Sequence, residues 1–222
     1  MKIKSIAFSA TAFVLLGGVI GVQQHISSQI TSKVQREMPN ASGISASVPL
    51  ADVPSNLTSD SIRSADINIK SFALKESGTK TSLDISASSI SKAKPTRIGS
   101  LEVTATIPAS TITKQSEFNN AQIVGNTLQV AAGAGGMGTA LLIPKYSKNQ
   151  LYFELQSVSI MGNQIPASAL PADLQNQIKS KSQRSLTPPK GLKVKSVSLS
   201  SKGLSVRMSG DNIQLGNLGS GL

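Results

Sequence analysis

From residue 44 onward the chain is built of short stretches in which apolar residues occupy every second position. The first are Ile67 and Ile69; Phe72 and Leu74; Leu83, Ile85 and Ala87; and Leu101, Val103, Ala105 and Ile107. Leu151, Phe153 and Leu155 continue the series, then Val158 and Ile160, Leu192 and Val194, Val197 and Leu199, Leu204, Val206 and Met208, and Ile213 and Leu215. Successive side chains of a strand point to opposite faces, so a period of two predicts strands with one apolar face and one polar face. Turn-forming sequences separate them ("KESGTK" at 75–80, "VGN" at 124–126, "YSKNQ" at 146–150 and "SSKG" at 200–203), and such short connections suit antiparallel neighbours. Two stretches change period. Ser110–Gln122 and Pro171–Leu186 read as helices, the second with Leu174 and Ile178 on one side and Lys179, Lys181 and Arg184 in its last turns, where cations complement the helix dipole.

The N-terminus follows another pattern. Lys2 and Lys4 precede an uncharged, apolar-leaning run from Ser5 to Val22, which predicts an export segment with its N-terminus in the cytoplasm. The one passable cleavage position, after Gly21 with Val19 at −3, lacks the usual Ala-x-Ala, so residues 1–22 are read as an uncleaved signal anchor in the cell membrane. The alternative is a cleaved signal peptide, leaving a secreted or periplasmic protein. Val22, Ile26, Ile30, Val34 and Met38 then recur at steps of four, the stripe of a membrane-proximal helix that ends before Pro39. The expected organisation is anchor (1–22), helix and linker (23–43), a β-rich domain outside the cytoplasm (44–215) and a flexible tail (216–222).

Composition narrows the chemistry. Of 222 residues 39% are hydrophobic, enough for a core, yet only 3% are aromatic and none is Trp. Sugar clefts and single-stranded nucleic-acid platforms need flat rings to stack on, so neither is expected. With no cysteine there is no disulfide, thiolate metal site or Cys nucleophile, and the sole histidine, His25, lies beside the anchor, away from any Ser-His-Asp relay in the domain. The acids are scattered and form no D-x-D-x-D loop, so no metal, cofactor or enzymatic activity is expected. Gly133, Gly135 and Gly138 have the G-x-G-x-x-G spacing of a dinucleotide loop, but that fingerprint works by opening a helix onto the pyrophosphate. Here Pro144 and the alternating Leu151–Leu155 segment follow, so the glycines read as a bend between strands.

Charge is the remaining signal. The chain carries a net +11, and Lys179, Lys181, Arg184, Lys190, Lys193, Lys195, Lys202 and Arg207 lie in a stretch without Asp or Glu. A basic cytosolic chain meets nucleic acid; an exported one meets anionic lipid head groups.

"SLTPPKGLKVKSVSLSSKGLSVRMSGDNIQL", Ser185 to Leu215, resembles the C-terminal signature of the actinobacterial LmeA-like phospholipid-binding family: a Pro pair, Gly-Leu, a strand, then a Gly-Leu strand closing on Ser-Gly. "IRSADINIKSFAL", the strand around "LEVTATIPAST", and "VSIMGNQIPASALP" fall in the family's order behind an N-terminal membrane segment. Where the family often has a "GFPFL"-like segment, this chain reads "SVPLADVPSNL", Ser47 to Leu57. The resemblance implies a tubular lipid-binding fold, an α+β, β-dominated half barrel in which a long curved antiparallel sheet wraps one or two helices around an apolar groove. It also implies a phospholipid partner at the cell envelope and a part in lipoglycan assembly. On that reading the acyl chains meet Leu101, Val103, Ile107, Leu141, Ile143, Leu151, Phe153 and Leu155. The head group, expected to be anionic, and the membrane meet Lys179, Lys181, Arg184, Lys190, Lys193 and Lys195, and no nucleic acid is bound. The alternative is a structural or protein-interaction β-domain, because the same alternating positions would equally fill a solid core.

Overall fold

The computed structural model describes residues 6–7, 31–32, 35, 40–49, 52, 59–73, 79–93, 96–115, 118, 120–132 and 138–214. Alternation becomes strand almost wherever it occurs: β1 (Ile6–Ala7), β2 (Ser42–Ser47), β3 (Ser61–Ala73), β4 (Lys80–Ser91), β5 (Arg97–Pro108), β6 (Gln122–Val124) and β7 (Thr127–Ala132). They are followed by β8 (Gly138–Ser147), β9 (Gln150–Ile160), β10 (Asn163–Pro166), β11 (Arg184–Thr187), β12 (Lys193–Ser200) and β13 (Gly203–Gln214). Between them lie α1 (Ala109–Gln115), a 3-10 turn (Ala167–Ala169) and α2 (Ala172–Ser182). The fold is α+β and β-dominated, with antiparallel pairing and open sheets. Its strands are divided between two sheets, one ordered β1-β11-β9-β8-β7-β6 with β10 also on β9, the other β12-β13-β5-β4-β3-β2.

Both predicted helices are shorter than their periodicity suggests, for the same reason. α1 stops at Gln115, and Gln122–Val124 pairs with β7 instead, Ile123 opposite Leu128. α2 stops at Ser182, and Arg184 and Ser185 pair with Leu151 and Gln150. In each case a free strand edge offers ladder hydrogen bonds that outweigh a weak helical preference. Thr31, Ser32 and Gln35 are helical, in keeping with the steps of four, and Ile6–Ala7, inside the predicted anchor, is a short strand next to β11. Residues 8–30, with the rest of the anchor and His25, lie outside the described residues, as do Leu74, Gly133, Gly135, Leu215 and the tail. No described helix is long and apolar enough to cross a membrane.

The chain forms two compact units: Met1–Ile6, Thr106–Thr187 and Ser196–Val206 in the first, Ala7–Ala105, Pro188–Lys195 and Arg207–Leu222 in the second. In the second, β3 and β4 pair with Ala65 opposite Ala87, Ile67 opposite Ile85 and Ile69 opposite Leu83, all buried on one face. Ser89 has a left-handed φ of 53°, and beyond it the buried parity switches from Ile85 and Ala87 to Ile90 while the register against β3 is kept. The other face is polar: Ser86 donates to Asp66 at 2.6 Å, Ser64 to Asp52 at 2.7 Å, and Asn68 to Asp84. Asp66 and Asp84 serve as cross-strand acceptors.

In the first unit β8 and β9 form a hairpin closed by Lys148 and Asn149, whose φ values of 51° and 59° are those of a type I′ turn. That turn fixes the register, with Leu142 between Leu128 and Leu155, all three buried. Gly138 opens β8 as a strand, so the glycine motif starts no helix. A Cβ there would stand 2.9 Å from the Ser159 carbonyl oxygen, which is why the strand begins on glycine.

Candidate functional site

β9 is paired along one side by β8, but its other side is shared among three partners. β11 takes Gln150 and Leu151, β10 takes Ser157 to Ile160, and the end of α2 lies against the gap between them. A bare edge there would leave backbone groups unpaired. The buried Ser182 hydroxyl closes it by accepting the Phe153 N–H at 2.8 Å. Its single proton is shared among the carbonyls of Ile178 at 2.9 Å, Lys179 at 3.1 Å and Phe153 at 3.3 Å.

This docking places the basic end of α2. Lys179 Nζ lies 4.6 Å from the centre of the Tyr152 ring, a cation–π contact. Lys145 is the cross-strand partner of Tyr152, on the same face, and its ammonium is 3.6 Å from Glu154. Arg184 folds back on the helix end, donating to the carbonyls of Lys181 at 2.9 Å and Gln183 at 2.8 Å, where the last turn lacks internal donors. Lys181 and Lys148, in the adjoining turn, are exposed. Tyr146 donates from its hydroxyl to Asn149 Oδ1 at 2.9 Å, and burial raises its phenol above the ordinary tyrosine value. Lys145, Lys148, Lys179, Lys181 and Arg184 therefore lie on the elements that meet at this end of the sheet, with Glu154 beside Lys145 and the Tyr152 ring beneath Lys179. Chemically the arrangement suits an anion that offers several oxygens, and the guanidinium and ammoniums provide donors for it. Among the described residues no three His, Asp or Glu form a metal-binding group.

The predicted basic residues are divided between the two units. Lys179, Lys181 and Arg184 belong to the first unit, whereas Lys190, Lys193 and Lys195 belong to the second. Lys193 and Lys195 are exposed, two positions apart on β12, the last strand of its sheet. Lysines in that position keep an edge from pairing with other chains. Arg207, the end of the basic run, is neutralised by Glu102 at 2.7 Å.

The predicted apolar lining divides likewise. Leu101 and Val103 lie in the second unit; Ile107, Leu151, Phe153 and Leu155 lie in the first, and all six are buried. Leu141 and Ile143 are half-buried on the opposite face of β8 from Ala140 and Leu142, because the register that sets Leu142 beside Leu155 turns its neighbours to the other side. Sequence reasoning missed Lys145, Lys148 and Tyr152. The signal was present in "KYSKNQLY": a two-residue turn at 148–149 makes 145 and 152 partners. No family model, curated protein or solved structure matches the chain.

Proposed function

We propose that the chain is a non-enzymatic, extracytoplasmic protein, held at the cell membrane by its N-terminal segment, that binds an anionic phospholipid. The head group is taken by Lys179, Lys181 and Arg184, with Lys145 and Tyr152 completing the site. The observation that carries this reading is the placement of five cations and one carboxylate on the elements that meet where α2 packs on β9. The uncharged run from Ser5 to Val22 and the resemblance of residues 185–215 to a phospholipid-binding family support it.

The test is the lipid that the purified full chain retains. Extraction with organic solvent and mass spectrometry should find phospholipid enriched in anionic classes relative to the host membrane. Replacing Lys179, Lys181 and Arg184 together with Gln removes three charges, each worth about 1 kcal/mol beside an anionic surface. Because 1.4 kcal/mol is tenfold, the anionic preference should fall by roughly ten- to a hundredfold. A wild-type chain that extracts clean, or carries lipid in the host's own proportions, overturns the proposal and leaves the protein-interaction reading.

A further inference from the structure

The end of the β8–β9 sheet opposite the basic site has the reverse character. β9 ends at Ile160 and returns through Met161 and Gly162 into β10, so this hairpin tip is the counterpart of the Lys148–Asn149 turn. Met161 is 79% exposed and Ile160 43%. Met161 also has φ 51°, a left-handed conformation that favours Gly and Asn, and Gly162 follows at 82°. Solvent exposure and backbone conformation both disfavour methionine here, and an Asn-Gly turn would satisfy both. At this exposure the Met161 side chain is not part of the first unit's core.

Charge is absent from the described strands that reach this end. Residues 118–144 contain no Asp, Glu, Lys, Arg or His, nor do residues 155–172. These stretches include β7, the first part of β8, the last part of β9, and β10. The backbone beside the tip is paired: Ile160 pairs with Gly138 on one side and Asn163 on the other, and Gln164 donates its amide to the Ser157 hydroxyl at 2.9 Å. An uncharged hairpin anchored in this way can set its apolar tip at the shallow, still hydrated edge of a bilayer, where water serves the turn's own N–H and C=O groups.

We propose that Ile160 and Met161 insert into the apolar edge of a lipid bilayer. A protein partner would be recognised by charge as well as apolar contact; the edge of a bilayer needs only apolar side chains and no charge. The inference rests on the proposed function only in taking a membrane as the neighbouring surface, and it adds an orientation. Ten steps along β9, at about 3.3 Å each, separate the tip from the basic end by roughly 30 Å. With the tip inserted end-on and β9 along the bilayer normal, the basic site stands roughly 30 Å from that surface, and the head group bound near Tyr152 belongs to a lipid held away from the bilayer that the tip enters.

The chain has no Trp, so a single Trp reports its own surroundings. Met161→Trp and, as a comparator, Ser147→Trp at the opposite end would each be introduced into the full chain and reconstituted in phosphatidylcholine vesicles with brominated acyl chains. The Met161→Trp emission should shift to the blue and be quenched several-fold more strongly than that of Ser147→Trp. Ile160→Trp, at an ordinary strand position, should behave as Met161→Trp does and keeps the test readable if Trp is not accepted at the left-handed site. Equal quenching at both ends, or none, overturns the proposal. So does a blue-shifted emission without lipid that vanishes on dilution, which would give the tip to a second copy of the chain. Quenching at the tip of a chain that extracts free of phospholipid would sustain this inference while removing the proposed head-group site.

Discussion

Ser182→Ala tests how the basic site is held. The hydroxyl has two duties, and they are not equally replaceable. As a donor it has three carbonyls to choose from, two of them in its own helix, and these tolerate its loss. As the acceptor for the buried Phe153 N–H at 2.8 Å it has no substitute in the paired strands, because β11 pairs no further along β9 than Leu151 and β10 begins opposite Ser157. A buried donor left unpaired costs about 1–3 kcal/mol. Alanine returns about 0.5 kcal/mol through its better helix propensity. The net loss is then about 0.5–2.5 kcal/mol, or roughly 1–10 °C in melting temperature for a chain of this size.

Thermal unfolding and amide exchange at Phe153 would measure it. Ser180→Ala is the control: that hydroxyl donates to the Gln177 carbonyl on the exposed side of α2, and its removal should stay within about 0.5 kcal/mol. The Phe153 amide should exchange faster in Ser182→Ala alone. Because the same contact sets Lys179 over Tyr152, the anionic lipid preference should decline with it. A Ser182→Ala chain that melts at or above the wild-type temperature, with Phe153 equally protected, would refute the closure of β9 by this hydroxyl.

Gly203 stands at φ 133°, and a Cβ there would collide with the Ile107 carbonyl oxygen, so Gly203→Ala should cost roughly 3 kcal/mol or more and appear as loss of soluble, folded protein; wild-type yield and melting would contradict the geometry. The raised pKa of Tyr146 gives a pH dependence with a definite sign. The folded state keeps the phenolic proton that the unfolded state loses at about pH 10, so its stabilising contribution is complete below that pH and is lost as the pH rises through the folded value. Urea titrations should show stability falling less steeply above about pH 10 in Tyr146→Phe than in the wild type, and identical slopes would show that the phenol is not shielded.

Much of the β9 strand could be read directly. Leu151, Phe153 and Leu155 alternate and all three are buried. The rule fails two residues later, where a register shift opposite Leu141 and Leu142 leaves both Ser157 and Val158 buried. A bulge has no signature in apolar periodicity, because it is set by the partner strand. The face of Leu141 and Ile143 was illegible for a related reason. Ala140, Leu141, Leu142 and Ile143 are four consecutive apolar residues, and an unbroken run carries no parity from which to choose a face. The basic run was legible as charge, but its division was not, since the chain leaves the first unit after Thr187 and re-enters it at Ser196, taking Lys190, Lys193 and Lys195 into the second.

The composition of the site depends on residues that bring no binding chemistry of their own. With the turn at Lys148 and Asn149, every pair from Ser147 and Gln150 to Leu142 and Leu155 keeps one register, and Lys145 meets Tyr152. A slip of one residue would set Lys145 opposite Leu151 or Phe153 and pit a charged face against an apolar one, so the burial of Leu151, Phe153 and Leu155 enforces the pairing of the exposed face as well. Ser182 then fixes where α2 ends along that hairpin, and so which cation stands over the ring. The basic residues supply the charge; the left-handed turn, the buried face of β9 and one helix-terminal hydroxyl decide which of them converge.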